Sequence, residues 1–214
     1  MLAAIEFRNA LYLDFEGEGE RANNEIPRPQ LAGVLSPKQN GTKFSYECVL
    51  FDSGWKPICN GIESAHYSLF EDYFDALLVR LQKEKRHLVF WSDHERKVLQ
   101  YFLSPPLYLA LQPYLFNALR AAKRYLREKP VLVIDNSLEN VYSALYPDRT
   151  PAFELPLGAA ESIRRINRVL ALPLRWKNIT DADKNLIRSL IAYNQGDCQQ
   201  TWLIAKKVGN YFEQ

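Results

Sequence analysis

Leu11-Tyr12-Leu13-Asp14-Phe15-Glu16-Gly17 decides how this chain is read. Side chains alternate along an extended strand, so Leu11, Leu13 and Phe15 share one face while Tyr12, Asp14 and Glu16 share the other. The two carboxylates therefore point the same way. Burying like charges side by side is costly unless a cation offsets them, and a bound divalent metal is the simplest such partner. The stretch predicts a first strand and metal-assisted chemistry.

Working outward, residues 17–30 are polar and carry Gly17, Gly19, Pro27 and Pro29, which makes them a loop or excursion at the sheet edge. Residues 30–35 and 44–51 are strand-like and flank Asn40-Gly41, a dipeptide suited to the positive φ values of a tight hairpin turn. The chain thus opens with three strands in meander order. Leu69, Tyr73, Leu77 and Leu81 give residues 68–85 a helical period, and residues 87–91 then form a short buried strand. A helix begins at Ser92 and is interrupted by Pro105 and Pro106. A longer amphipathic helix follows from about Leu107 to Glu128, where Pro130 stops it.

Residues 131–134, apolar on both faces, make a fifth strand. Asn136 or Ser137 caps a helix to Tyr146, another helix covers residues 159–170, and a long one covers residues 181–208 with Thr180 as its cap. Early strands followed by strand-helix alternation predict an α/β domain, a mixed five-stranded sheet flanked by helices.

The 214 residues suit a single domain. With 47% hydrophobic residues, twelve Tyr, eleven Phe and four Trp, the composition is that of an ordered globular chain. No window approaches eighteen uninterrupted apolar residues. Met1-Leu2-Ala3-Ala4-Ile5-Glu6 lacks the basic start and apolar run of a signal peptide, so a cytoplasmic protein without a membrane partner is expected. Cys48, Cys59 and Cys198 are scattered, which signals neither a disulfide framework nor a zinc site.

The net charge of +2 is unevenly spread. Residues 1–116 hold 12 Lys/Arg against 15 Asp/Glu and residues 117–180 hold 11 against 6, which makes the middle of the chain the place to meet phosphates. The run Arg120-Ala121-Ala122-Lys123-Arg124 reads at least as well as a solvated helix face.

Two further acidic features stand out. Leu186, Leu190, Tyr193, Asp197, Thr201, Ile204 and Val208 recur at steps of three and four and form one stripe of the last helix, with Asp197 in its middle. A buried carboxylate there must meet a metal, a cation or a dense set of donors, and a structural Asp bonded to Arg or to backbone fits the stripe equally well. Phe90-Trp91-Ser92-Asp93-His94-Glu95-Arg96 puts acids at a strand-helix junction, where open α/β sheets place their ligands. Ser92 and Glu95 also match a capping box, so Glu95 reads as cap or as metal ligand, with Asp93 as the alternative acid.

Together, Asp-x-Glu on the first strand, an acid at the later junction and Tyr-x-x-x-Asp on the closing helix resemble the DEDD exonuclease superfamily of the ribonuclease-H-like fold. Tyr193-Asn194-Gln195-Gly196-Asp197-Cys198-Gln199-Gln200-Thr201 is similar to the YNxxDCxxT signature of predicted RecB-associated nucleases with a ribonuclease-H-like domain. In that group the middle motif tends to carry Glu, which favours Glu95 over Asp93. Val133-Ile134-Asp135 resembles the family's strand after the middle motif.

The resemblance implies a 3′-5′ exonuclease that hydrolyses DNA or RNA with two Mg²⁺ or Mn²⁺ ions. Asp14 is the expected bridging ligand, Glu16 and Glu95 complete the shells, Asp197 holds the ion that activates water, and Tyr193 orients that water. A single-stranded nucleic-acid end is the implied partner, with a helicase or repair protein as a further one. The competing expectations are a module of the same fold that binds nucleic acid or a protein without catalysis, and a scaffold whose carboxylates are neutralised by Arg or Lys. Tyr12, Phe15 and Trp91 lie near the motifs but read as core. Arg164, Arg165 and Arg168 reach phosphates only if their helix faces the cleft, and Glu18 and Glu20 read as a solvated loop.

Overall fold

Alternation along β1 (Leu11–Glu16) divides the molecule into its layers. Leu11, Leu13 and Phe15 enter one hydrophobic cluster, whereas Tyr12 enters a cluster on the opposite face of the sheet, the face toward which Asp14 and Glu16 also point. The computed structural model describes residues 7, 9–19, 25–38, 43–129, 131–149, 155–172 and 174–211, apart from the Asn210 side chain. The Asn40-Gly41 turn, Glu20 and Pro130 lie outside the described residues.

The chain continues through β2 (Leu31–Pro37), β3 (Phe44–Leu50), α1 (Lys56–Cys59), β4 (Ala65–Tyr67), α2 (Phe70–Glu84), β5 (Leu88–Phe90), α3 (Asp93–Phe102) and α4 (Pro105–Leu111). It ends with β6 (Leu115–Asn117), α5 (Ala118–Glu128), α6 (Leu138–Leu145), α7 (Ala159–Leu170) and α8 (Asp181–Val208). The strands form one mixed sheet in the order β4-β3-β2-β1-β5-β6. β1, β2 and β3 pair antiparallel as the expected meander, while β5 joins β1, β6 joins β5 and β4 joins β3 in parallel. Helices α2 to α4 cover one face through Phe70, Phe74, Leu77, Leu99 and Leu107. On the other face α5 to α8 pack through Ala121, Val141, Ile163 and Ile204.

Two of these helices carry clear boundary chemistry. Thr180 Oγ1 accepts from Asp183 N–H at 3.2 Å and starts α8, and Ser92 with Glu95 forms a complete capping box at the start of α3. Among the described residues no helix is long and apolar enough to cross a membrane.

Three expectations are corrected. The sheet has six strands rather than five, because β4 and β6 each contribute three paired residues that no alternation pattern announced. Residues 131–134 are not a strand: Leu132 and Ile134 are 94% and 88% exposed, and β6 occupies the place beside β5 that such a strand would need. The likeness of Val133-Ile134-Asp135 to a family strand therefore fails here. Residues 107–128 are not one helix. Pro113 sits in a tight turn at Gln112–Tyr114, the backbone extends to pair Leu115 with Leu88, and Asn117 then caps α5 by accepting from Arg120 N–H at 3.1 Å.

Candidate metal centre

Helix α8 lies across β1 and β2 on the face that carries Asp14 and Glu16, and a glycine lets it approach. Gly33 on β2 is the register partner of Asp14. A Cβ at Gly33 would sit 1.8 Å from Asn194 Oδ1 and 2.9 Å from the Tyr46 ring, so only a bare Cα admits the Asn194 amide. Fully buried, Asn194 donates through Nδ2 to Asp14 Oδ2 at 2.6 Å and to the Asp14 carbonyl at 3.3 Å, and its Oδ1 accepts from Tyr46 O–H at 2.9 Å. Tyr46 thereby fixes which end of the amide faces the carboxylate, and Asn194 fixes the carboxylate. Gly33→Ala is expected to destabilise the fold by about 1–3 kcal/mol, as overpacked cores do, and to weaken Mn²⁺ binding with it. Thermal melts with and without Mn²⁺ check this; an unchanged melting temperature together with an unchanged metal response would refute it.

One turn beyond Asn194, Asp197 comes down from α8 onto the same spot, only 7% exposed. Asp14, Glu16 and Asp197 each offer a carboxylate oxygen, and these oxygens all lie within 4.8 Å of one another. Burial raises all three acids, and the charges of neighbouring carboxylates add to it. Asp14 stands well above the usual carboxylate range, through burial first and then the charges of Glu16, Asp197 and Glu95. Glu16 is pushed up to about 8 by burial and by Asp197. Asp197 rises to about 7 through burial and the nearby Glu139.

Among the described residues no Lys or Arg forms an ion pair with any of them. Without a bound cation the cluster retains protons, with Asp14 hydrogen-bonded to Glu16. Three hard oxygen donors, unpaired with Lys or Arg among the described residues, fit a divalent ion such as Mg²⁺ or Mn²⁺.

The two candidate acids of the middle motif part company. Glu95 is buried and close enough for its charge to raise Asp14 and Glu16, while its Oε2 accepts from Ser92 N–H at 3.1 Å and Ser92 O–H at 3.0 Å. It is a helix cap at the margin of the acidic cluster, raised to about 7 by burial despite those bonds. Asp93 turns the other way. Its carboxylate meets Arg96 and Arg120 at 3.1 and 3.0 Å and stays below its ordinary value, the Arg120 and Asn117 bonds outweighing its partial burial.

Tyr193 stands at the mouth of the cluster. Its hydroxyl donates to Glu139 Oε1 at 3.3 Å and bonds to Asp197, and burial plus the surrounding acids hold the phenol far above its usual value. The other candidates serve the fold. Tyr12, Phe15 and Trp91 are buried in the core. Arg164 and Arg168 pair with Glu161 along α7, and Arg165 pairs with Asp183. Glu18 accepts from Asn167 at 2.6 Å.

Sequence reasoning gives no role to Gly33, Tyr46, Glu139 or Asn194. Asn194 lies three positions before Asp197, a spacing that shares a helix face, and it enters the sequence reading only as a letter of the YNxxDCxxT likeness. Glu139 belongs to another helix and nothing in its neighbourhood pointed to the site. Comparison of the chain with family models, with curated proteins and with solved structures found no match.

Proposed function

We propose that the protein is a metal-dependent nuclease of the ribonuclease-H-like fold, which removes nucleotides from the 3′ end of DNA or RNA. The observation that carries this reading is the convergence of Asp14, Glu16 and Asp197 in one largely buried cluster with which, among the described residues, no Lys or Arg forms an ion pair. Phosphodiester hydrolysis places negative charge on the attacking, nonbridging and leaving oxygens, and divalent ions bound at such a pocket stabilise that charge. The meander β1-β2-β3, extended on the other side of β1 by the parallel strands β5 and β6, supports the fold assignment.

Each residue has a task that follows from its place. Asp14, Glu16 and Asp197 hold the ions, and Glu95 adds its charge from the edge while it anchors α3. Asn194 and Tyr46 keep Asp14 from rotating away. Tyr193 remains protonated near neutral pH and spends its proton on Glu139 or Asp197, so its oxygen lone pairs are available to accept from a water and orient it. It orients rather than deprotonates, because a phenol held this far above its ordinary value is no base at neutral pH.

The test is a 5′-labelled single strand of DNA or RNA incubated with Mg²⁺ or Mn²⁺. A ladder of products shortened from the 3′ end is expected, and chelation should stop it. A strand that is bound yet stays intact in both metals would refute the nuclease reading and leave a binding module.

A further inference from the structure

A second constellation lies at the C-terminal ends of β5 and β6. A cavity of about 210 Å³ opens there between Asp93, Arg96, Asn117, Arg120, Arg124 and Tyr211. Arg120 Nη2 meets both oxygens of Asp93, Arg96 Nη2 lies 3.1 Å from Oδ1, and Asn117 Nδ2 donates to the same oxygen at 3.1 Å. Arg124 Nη1 donates to the Tyr211 carbonyl at 3.3 Å. Two guanidinium groups thus share one carboxylate, which leaves positive charge in excess at this cluster among the described residues. Each guanidinium carries five N–H donors in a planar fork, and Asp93 occupies one nitrogen of Arg96 and one of Arg120. Arg96 and Arg120 are 39% and 59% exposed at their side chains, so solvent and ligands reach them.

The cavity and the carboxylates share an edge of the sheet. Leu13 is the register partner of Phe90, and Phe90 is the partner of Asn117, so the three form one row across β1, β5 and β6. Asp14 stands one residue beyond that row. With neighbouring strands about 4.8 Å apart, Asn117 is roughly 10 Å across the sheet from the carboxylate strand. The first turn of α3 links the two places, with Glu95 on the acidic side and Asp93 on the basic side.

We propose that the arginine cleft is a second phosphate site, which holds a backbone phosphate of the same nucleic-acid strand whose end reaches Asp14. Arg96 and Arg120 supply the forked donors, and Asp93 holds both at the cavity when no strand is present. The identity of the phosphate's carrier rests on the nuclease reading; the ability of the cleft to bind phosphate does not.

The experiment measures binding of a fluorescent single-stranded oligonucleotide in EDTA, where no cutting occurs, over a series of salt concentrations. Arg96→Gln with Arg120→Gln is expected to weaken binding about tenfold and to lower the slope of log affinity against log salt by about 0.7, the loss of one phosphate contact. Asp93→Asn should move affinity the opposite way, about threefold tighter, which separates the proposal from mere damage to the fold.

Unchanged affinity and slope in both variants would overturn it and leave an internal ion-pair network. Loss of inorganic phosphate binding in the arginine variant, with oligonucleotide binding intact, would overturn the assignment to a strand. Arginine-dependent binding of an oligonucleotide that Mg²⁺ and Mn²⁺ then leave uncut would sustain the cleft and refute the nuclease.

Discussion

Asp14→Asn is expected to reduce Mg²⁺- or Mn²⁺-dependent cutting by about a thousandfold, the rate equivalent of losing about 4 kcal/mol of charge stabilisation at the reacting phosphate. The substitution is informative because it should leave the fold intact. An Asn at this position accepts from Asn194 through its own carbonyl oxygen, as Asp14 does now at 2.6 Å. Its amide nitrogen replaces the proton that Asp14 shares with Glu16 in the metal-free pocket. The variant no longer has to take up a proton at this position on folding, so without metal it should melt no lower than the parent at pH 7 and higher at pH 8. Its melting temperature should also stop responding to Mn²⁺. Cutting at the parental rate in a variant that no longer responds to Mn²⁺ would detach the activity from this pocket.

Stability without metal should fall as pH rises, the reverse of what paired carboxylates give. In the unfolded chain these acids titrate near their ordinary values of about 4. In the folded chain Glu16 lies at about 8 and Glu95 and Asp197 at about 7. Between those limits the folded state holds more protons than the unfolded one, and stability declines with pH wherever that is so. The contribution is complete below about pH 4 and is lost as the pH climbs through 7 and 8. Several coupled acids together should cost several kcal/mol, about 10 °C of melting temperature for a domain of this size.

Because Mn²⁺ displaces those protons, the rise in melting temperature that it causes should be larger at pH 8 than at pH 6. Glu16→Gln should flatten both trends, and the difference between parent and variant isolates the pocket from the rest of the molecule. Equal metal stabilisation at the two pH values would mean that the acids do not gather protons in the absence of a cation.

Much of this was legible in the chain because it rested on periodicity. The boundaries of α7 and α8 follow from apolar spacing and from the Thr180 cap, and the facing of Asp14 and Glu16 follows from simple alternation. The failures share a cause. Residues 115–117 fall inside a run that reads as helix and residues 131–134 read as a strand, but only the first has a strand edge beside it, and partner availability is a tertiary property. At the site, charge was legible and its support was not. Neither the contact of Asn194 with Asp14 nor the reason for Gly33 can be read without knowing that β2 passes beneath α8.

The cluster joins residues far apart in sequence, Asp14 with Asp197, and α8 packs on β1 and β2 along the way. A polypeptide leaving the ribosome presents β1 early and α8 late. While it is being made, two carboxylates sit on a half-built sheet with no third to close the cage. The acidic cluster is therefore incomplete until synthesis has passed residue 197 and α8 can pack on the sheet.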